Sequence, residues 1–444
     1  MTDERKLFHY QAAGAMFLAR RKYAYLADDM GMGKTIQAIA AADKAKLANV
    51  LVICPATACI NWSREILTWQ QVPRAVTLYE TPRRTPALYG VLVVSWERAI
   101  RPENLAHLRS QPWDAIIFDE AHRLKSPDAH RTQLLIGQDG LARKAARVWF
   151  LSGTPVPNHP GELWTVLRVF HSKALTQPDG SVLGYEGFLE KFCITRPSPY
   201  GLKVVGMRKS SNLRDLLRDF MIRRDADVAD LPPLLMSDVA VEAGTLPAEV
   251  LKLEAGKVGQ TIKDLVDSNA FEAIAPDAGQ STWAKAVGVL KAPAIVNLVN
   301  DWMNDGLEKL IIFAWHRDVI EILRAALKQH GVVVIDGSTP ERRRQDAIDQ
   351  FQTNDRVKIF IGQHQAAGEA ITLTAANHVL MAEWAWTPKD IAQPIKRAHR
   401  IGQSKTVFVR FAKLAGSLDD AFTSAIRRKT QMFIDLFNPN QETH

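Results

Sequence analysis

Along the first half of the chain, short apolar runs recur between longer stretches with helical spacing. They are Tyr23–Ala27, Asn49–Cys54, Gly90–Ser95, Ala115–Phe118 and Val148–Leu151. The second half repeats the rhythm at Leu310–Phe313, Val332–Ile335, Val357–Ile361, His378–Met381 and Val407–Phe411. Continuous Val/Ile/Leu runs too short for helices, spaced by helical segments, predict parallel sheets covered on both faces. Each run ends in a small or polar cluster: Asp28-Asp29, Pro55, Ser95-Trp96, Asp119-Glu120, Ser152-Gly153-Thr154, Asp336-Gly337-Ser338. In open parallel sheets ligands bind at the carboxyl ends of strands, so these clusters are the candidate chemistry.

Between the halves, from about residue 156 to 285, the alternation lapses. Helical patterns (Leu213–Phe220, Ala248–Ala270) alternate there with turn-rich pieces, and Asp230-Leu-Pro-Pro-Leu234 predicts a stiff connection. The last pattern, Leu418–Phe437, predicts an amphipathic helix folded back on the body.

Bulk composition narrows the class without deciding it. A chain of 444 residues is long for one core and points to two or three domains. Its 56 basic and 48 acidic residues leave a net charge of +8, a mild bias toward polyanionic partners. Cys54, Cys59 and Cys193 are too few for a disulfide framework and lack zinc-ligand spacing. No apolar run reaches the roughly 18 residues of a membrane span, and the charged N-terminus lacks a signal-peptide core. A cytoplasmic chain is expected, associated with the nucleoid in a prokaryotic cell or with a phage in its host, and no membrane partner.

Three segments carry the chemistry. Asp28-Asp29-Met30-Gly31-Met32-Gly33-Lys34-Thr35 lies between a strand and a helix. Freed backbone amides and a helix N-terminus can cradle phosphates there; Lys34 is placed to reach the β and γ phosphates and Thr35 to hold Mg2+. The strict phosphate-loop pattern has Gly where Asp28 stands. Next, Ile116-Ile-Phe-Asp-Glu-Ala-His122 delivers two carboxylates to a strand end, Asp119 for Mg2+ and Glu120 to polarise the attacking water. His122, without metal-ligand partners in sequence, is expected to relay nucleotide state through hydrogen bonds. Third, Gln393-Pro-Ile-Lys-Arg-Ala-His-Arg-Ile-Gly-Gln403 places Arg397 and Arg400 three apart, expected on one helical face, as arginine fingers for a γ-phosphate.

The ordered set resembles the Swi/Snf family of superfamily-2 helicase-like ATPases over roughly residues 7 to 430. Leu7-Phe-His-Tyr-Gln11 resembles its adenine-reading motif, with Gln11 as base contact. Leu51–Ala56, Asn61–Glu65 and Val93–Glu97 resemble motif Ia and the motif after it; Leu151-Ser-Gly-Thr-Pro155 resembles motif III; Phe220-Met-Ile-Arg-Arg224 with Asp230-Leu-Pro-Pro233 resembles the lobe-joining segment. Ala366–Ala376, with Thr372 where most of the family has Asn, is similar to the annealing-helicase branch, as are Phe188–Cys193 and Asn212–Leu216. Departures are Asp29 for Glu, Pro394 and Lys396 in motif VI, and Ala370 for Gly in motif V.

The resemblance implies an α/β chain of two RecA-like lobes, each a parallel β-sheet flanked by helices. Lobe 1 is expected over 1–235 with a helical insertion from about 156, a linker and helical insertion over 236–290, and lobe 2 over 291–444. ATP and Mg2+ are the implied cofactors. Gln11, residues 29–35, Gly368 and Gln393 would contact the nucleotide in the cleft between the lobes. Lys34, Asp119, Glu120, Arg397 and Arg400 would be catalytic, and His122, Ser152, Gly153 and Thr154 would couple hydrolysis to movement. Asn61, Trp62, Ser95, Trp315, Gly337, Ser338 and Thr372 would contact DNA. The expected function is a minimal, monomeric, ATP-driven translocase on double-stranded or branched DNA. The rival readings are a strand-separating DNA or RNA helicase, a protein–DNA complex remodeller, and an ATP-gated scaffold; no protein partner is indicated.

Overall fold

The computed structural model describes residues 6–82, 90–153, 155, 160–177, 179–198, 201–208, 213–224, 231–244, 246–268, 277–364 and 371–436. The chain divides into two compact units, Met1–Ala229 and Asp230–His444.

In the first unit the strands are β1 (Tyr23–Leu26), β2 (Val50–Cys54), β3 (Ala75–Leu78), β4 (Gly90–Ser95), β5 (Ala115–Asp119) and β6 (Arg147–Leu151), followed by the hairpin β7 (Cys193–Ser198) and β8 (Gly201–Met207) and by β9 (Met221–Ile222). Seven of them form a parallel sheet in the order β3-β4-β2-β5-β6-β1-β9; β7 and β8 pair antiparallel by themselves. β2 and β4 are buried along their whole length, as strands covered on both faces must be. The core gathers Tyr25, Phe118, Phe150 and Phe220, with Phe118 and Phe150 stacked at 5.5 Å. All five expected runs of this half are strands. β3 and β9 were not expected: β3 is a half-exposed edge, and β9 is two residues recruited beside β1, Met221 opposite Tyr25 and Ile222 opposite Leu26. The helical pattern over Leu213–Phe220 is helix only at Leu213–Leu217.

The second unit holds β10 (Leu234–Val241), β11 (Leu310–Ala314), β12 (Val332–Ile335), β13 (Ile359–Gln363), β14 (His378–Met381) and β15 (Val407–Leu414). They make one parallel sheet ordered β10-β15-β14-β11-β13-β12. β10 corrects the expected domain plan. Residues from 236 are not a linker: Leu234 to Val241 pair residue for residue with Val407 to Leu414, so the second unit starts at Asp230, not after 235. Ser237 and Asp238 broke the apolar run, because this edge strand is buried only at intervals. Residue 291, the expected start of lobe 2, lies inside the helix Ala278–Asn304, which is N-capped by Asp277 with Gln280 in a reciprocal capping box. The expected C-terminal helix is present as Leu418–Leu436 and packs on β15 and β10. No described helix is long and apolar enough to cross a membrane.

Candidate nucleotide and nucleic-acid sites

Strand order assembles the first site. β5, β6 and β1 are neighbours, and Leu26 and Asp119 both pair with Leu151. The segments after all three strands therefore leave the sheet side by side. After β1, Gly31 (φ +82°) and Gly33 (φ +66°) take left-handed conformations that L side chains rarely adopt. Gly33 is the N-cap of the helix Lys34–Lys44, whose first amides face the loop with the positive end of the helix dipole. Lys34 Nζ donates to the carbonyls of Asp28 and Asp29, 2.9 Å each. Desolvation pushes this ammonium below the usual lysine range, against the pull of Glu120 and Asp28. Asp29 accepts from the Met30 amide at 2.7 Å. Met32 is buried, its carbonyl facing Tyr10 and Gln37, while Thr35 stays partly exposed in the first helical turn.

The carboxylate pair after β5 is held from several sides. Trp62 Nε1 donates to Asp119 Oδ2 at 2.8 Å, Trp96 Nε1 to the Asp119 carbonyl at 3.1 Å, and the Glu120 amide to Asp119 Oδ1 at 3.0 Å. Burial, and then the charge of Glu120, lift the Asp119 carboxyl to about 6. Glu120 has φ 52° and ψ 48°, a left-handed conformation costly for a non-glycine residue. Strain of this kind concentrates where a side chain must be aimed. His122 Nδ1 lies 3.0 Å from Ser152 Oγ and 3.2 Å from Glu120 Oε2. A Cβ on Gly153 would come within 2.7 Å of Met30 Cγ and 3.3 Å of Lys34 Nζ, so the β6 end lies close against the phosphate loop. Thr154 lies outside the described residues.

Hard oxygen donors at Asp119 and Thr35 suit Mg2+, which keeps most of its waters and takes few protein ligands. Among the described residues no cluster of three or more His, Cys, Asp or Glu side chains forms a metal cage.

Burial corrects two of the expected DNA contacts, Trp62 and Ser95. Trp62 is 1% exposed and its indole N–H is spent on Asp119, so it orients a carboxylate instead of meeting DNA. Ser95 is buried, and its hydroxyl accepts from the Arg98 amide as the N-cap of a helical turn. Asn61 stays partly exposed, its amide on Glu65. Gln11, the expected base contact, is buried against Gly33, with Oε1 accepting from the Phe8 amide and Nε2 3.5 Å from the Met32 carbonyl. Asp28, the departure from the phosphate-loop pattern, is fully buried and paired with Arg224. Neither partnership was legible, because Trp62 and Asp119 are 57 residues apart and Arg224 is 196 beyond Asp28.

In the second unit the motif VI arginines do not share a helical face. The helix Pro388–Ile395 stops one residue before Lys396, and Arg397 and Arg400 lie in the turns that follow. Pro394, lacking an N–H, sits in the last helical turn, and the amides of Arg397 and Ala398 close i→i−3 turns on Pro394 and Ile395. These turns are laced to residues 371–376: Leu373 N donates to the Arg397 carbonyl, Arg400 Nη1 to the Ile371 carbonyl and Gln403 Nε2 to the Ala376 carbonyl. Gln393 and Thr372 are partly exposed. Gly368 and Ala370 lie outside the described residues.

At the strand ends of this unit, Gly337 and Ser338 are exposed after β12, with the Ser338 amide and hydroxyl both on Asp336 Oδ1. Trp315, after β11, is half-buried; its amide and that of His316 donate to Glu383 Oε2, 2.9 Å each. Glu383, which the sequence did not single out, also takes His316 Nδ1 at 2.6 Å.

Residues 10–247 match the model of the SNF2-related domain and residues 291–402 that of the helicase conserved C-terminal domain. The chain is 30% identical over 438 residues to the SWI/SNF-related matrix-associated actin-dependent regulator of chromatin subfamily A-like protein 1 homolog of Caenorhabditis elegans, over 96% of this chain and 61% of that protein. It is 29% identical over 460 residues to the DNA annealing helicase and endonuclease ZRANB3 of Mus musculus, over 98% of this chain and 41% of that protein. The chain thus spans about two-fifths to three-fifths of these relatives' lengths. The Sulfolobus solfataricus SWI2/SNF2 ATPase core solved in complex with dsDNA is similar over 98% of this chain and 95% of that one, at 23% identity and a TM-score of 0.44.

Proposed function

The chain belongs to the SNF2-related family, and from that premise we propose that it hydrolyses ATP to move along double-stranded DNA, acting on branched or fork-like substrates. The observation that carries the reading is the convergence of Lys34, Asp119-Glu120 and Ser152-Gly153 at the carboxyl ends of three adjacent strands. In this reading Lys34 and the loop amides hold the β and γ phosphates, Thr35 and Asp119 hold Mg2+, and Glu120 orients and deprotonates the attacking water. Bound Mg2+ would neutralise charge on the phosphates. Arg397 and Arg400 remain the proposed arginine fingers for ATP. The contact of His122 with both Glu120 and Ser152 supports a relay from hydrolysis to the β6 end.

The branched-DNA preference is supported by the annealing-helicase relatives and rests on them. Asn61, Trp315, Gly337, Ser338 and Thr372 remain the proposed DNA contacts. Binding through backbone phosphates would be nearly sequence-independent and weaken steeply with salt.

The test is ATP turnover against a panel of duplex, single-stranded and forked DNA. Turnover should rise with duplex or forked DNA, and Glu120→Gln should lower kcat by about 10²–10⁴-fold while nucleotide binding persists. Turnover indifferent to DNA overturns the motor; robust displacement of plain duplex strands replaces it with a strand-separating helicase.

A further inference from the structure

On either side of the junction between the two units, a described residue, Arg224 or Pro232, is bonded within its own unit next to residues assigned to ATP. On the near side stands Arg224. Its Nε donates to Asp28 Oδ1 at 2.9 Å, its Nη2 to Asp28 Oδ2 at 2.5 Å and to Gln37 Oε1 at 2.8 Å, and its Nη1 to the Tyr10 carbonyl. Its guanidinium lies 5.5 Å from the centre of the Tyr10 ring. A Cβ on Gly14 would come within 1.9 Å of Gln37 Oε1 and 2.5 Å of Arg224 Nη2, so glycine there makes room for the cluster. The backbone repeats the link, with the Asp29 amide donating to the Arg224 carbonyl at 3.0 Å. Asp28 and Asp29 are the residues whose carbonyls hold Lys34 Nζ. A displacement of Arg224 is therefore felt two bonded steps later at the lysine.

On the far side stands Pro232. Its carbonyl can only accept, so His399 Nε2 donates to it, at 2.7 Å. His399 is 4% exposed and lies between Arg397 and Arg400. Pro233, next along, accepts from the Val407 amide at 2.9 Å.

We propose that Arg224 and His399 are positioning residues for ATP hydrolysis: they pin the chain on either side of the junction, one to the phosphate loop through Asp28 and the other to the motif VI arginines through Pro232. A buried bidentate ion pair confers little stability over an apolar pair of the same volume, so the Arg224–Asp28 pair is better understood as fixing geometry. The inference rests on the proposed ATPase reading.

The full chain is the sample, with steady-state hydrolysis on duplex DNA, binding of a fluorescent (mant) ATP without DNA, and melting temperature as readouts. Arg224→Gln should raise the KM for ATP and weaken mant-ATP binding by on the order of tenfold, about one charge-assisted hydrogen bond. Asp28→Asn should do the same, and the double variant should be no worse than either single one, because both break one pair. His399→Ala should lower DNA-stimulated kcat by roughly tenfold at unchanged KM, and His399→Gln, which keeps an N–H donor, should restore it. If Arg224→Gln does not fold, Arg224→Lys keeps the charge without the fork and carries the same measurement.

Variants that melt earlier yet keep KM, kcat and mant-ATP affinity within twofold of wild type, per folded molecule, overturn the proposal. A wild type whose hydrolysis ignores DNA strikes the motor reading instead, and mant-ATP affinity of Arg224→Gln then still decides the Arg224 pin, on which the proposal stands or falls.

Discussion

Lys34 and Lys291 each carry an ammonium into a unit built on the same plan, and their surroundings are opposite. Lys291, 1% exposed, meets Asp419 at 3.1 and 3.3 Å and the Ala412 carbonyl at 2.9 Å. Asp419 is satisfied in turn by Trp384 Nε1 and the Leu414 amide, 2.8 Å each. Lys34 has only two loop carbonyls; among the described residues no carboxylate comes within ion-pair distance of it. A complete buried pair is scaffold. A desolvated cation held by carbonyls at a strand end, with carboxylates pulling on it only from beyond ion-pair distance, can take a phosphate as its direct partner.

The largest expected effect separates these two lysines. Lys34→Met should lower ATP turnover by on the order of 10²–10³-fold or more, by loss of a phosphate-facing donor. It should leave the melting temperature unchanged or raised. The sign follows from the lowered pKa of Lys34: below that pKa the fold must hold an ammonium it disfavours, so removing the group relieves a cost at neutral pH. Lys291→Met should do the reverse, leaving Asp419 buried without its cation, at about 3–5 kcal/mol, with turnover per folded molecule preserved. Paired melting and hydrolysis measurements decide it. If Lys291→Met silences hydrolysis without lowering the melting temperature, the division between scaffold and site is misplaced.

A second pairing is subtler. Trp62 donates to Asp119 and Trp384 to Asp419, both at 2.8 Å. Asp419 is neutralised by the buried Lys291; Asp119, lifted by burial and by Glu120, is the one assigned to Mg2+. Trp62→Phe removes one of the interactions that keep Asp119 ionised, so the half-saturating Mg2+ concentration for hydrolysis should rise by about tenfold, the scale of losing a ligand's supporting hydrogen bond. Trp384→Phe should cost about 1–3 kcal/mol of stability, leaving a buried acceptor short of a partner, with no change in the Mg2+ requirement. Magnesium titrations of both variants test this. Equal shifts would mean that Trp62 acts only through packing.

The same contrast shows what was legible in the residues alone. Interior parallel strands are continuous apolar runs, and the groups at their ends follow at fixed offsets, so the phosphate loop, Asp119-Glu120 and the β12 turn could be placed from sequence. Edge elements could not. β9 is two residues long, and β10 is interrupted by Ser237 and Asp238; each is defined by a partner strand far away in the chain. Side-chain duty was the least legible level. An indole beside a candidate DNA motif suits a base or phosphate as well as a buried aspartate, and only the fold, by bringing Trp62 under Asp119, chooses. Asp28 reads as a departure from the glycine pattern until Arg224, remote in sequence, arrives from the neighbouring edge strand. Arg397 and Arg400 read as one helical face, but the helix stops at Ile395, ahead of both.

The smallest effect concerns two serines at strand ends. Ser95 is buried and accepts from the Arg98 amide at 3.3 Å; Ser338 is exposed, its hydroxyl donating to Asp336 at 2.8 Å. Ser95→Ala removes a helix cap and should cost about 1 kcal/mol in stability. Because that hydroxyl does not reach solvent, duplex DNA affinity and its dependence on salt should stay as in wild type. Ser338→Ala should barely move the melting temperature, since the Ser338 amide keeps its bond to Asp336. If the β12 loop meets a phosphate, duplex affinity should instead fall by about two- to tenfold, within the worth of one neutral hydrogen bond. Equilibrium binding of a fluorescent duplex at two salt concentrations separates the cases. A DNA-binding loss with Ser95→Ala as large as that with Ser338→Ala would return Ser95 to the DNA surface and would put the burial of this strand end in question.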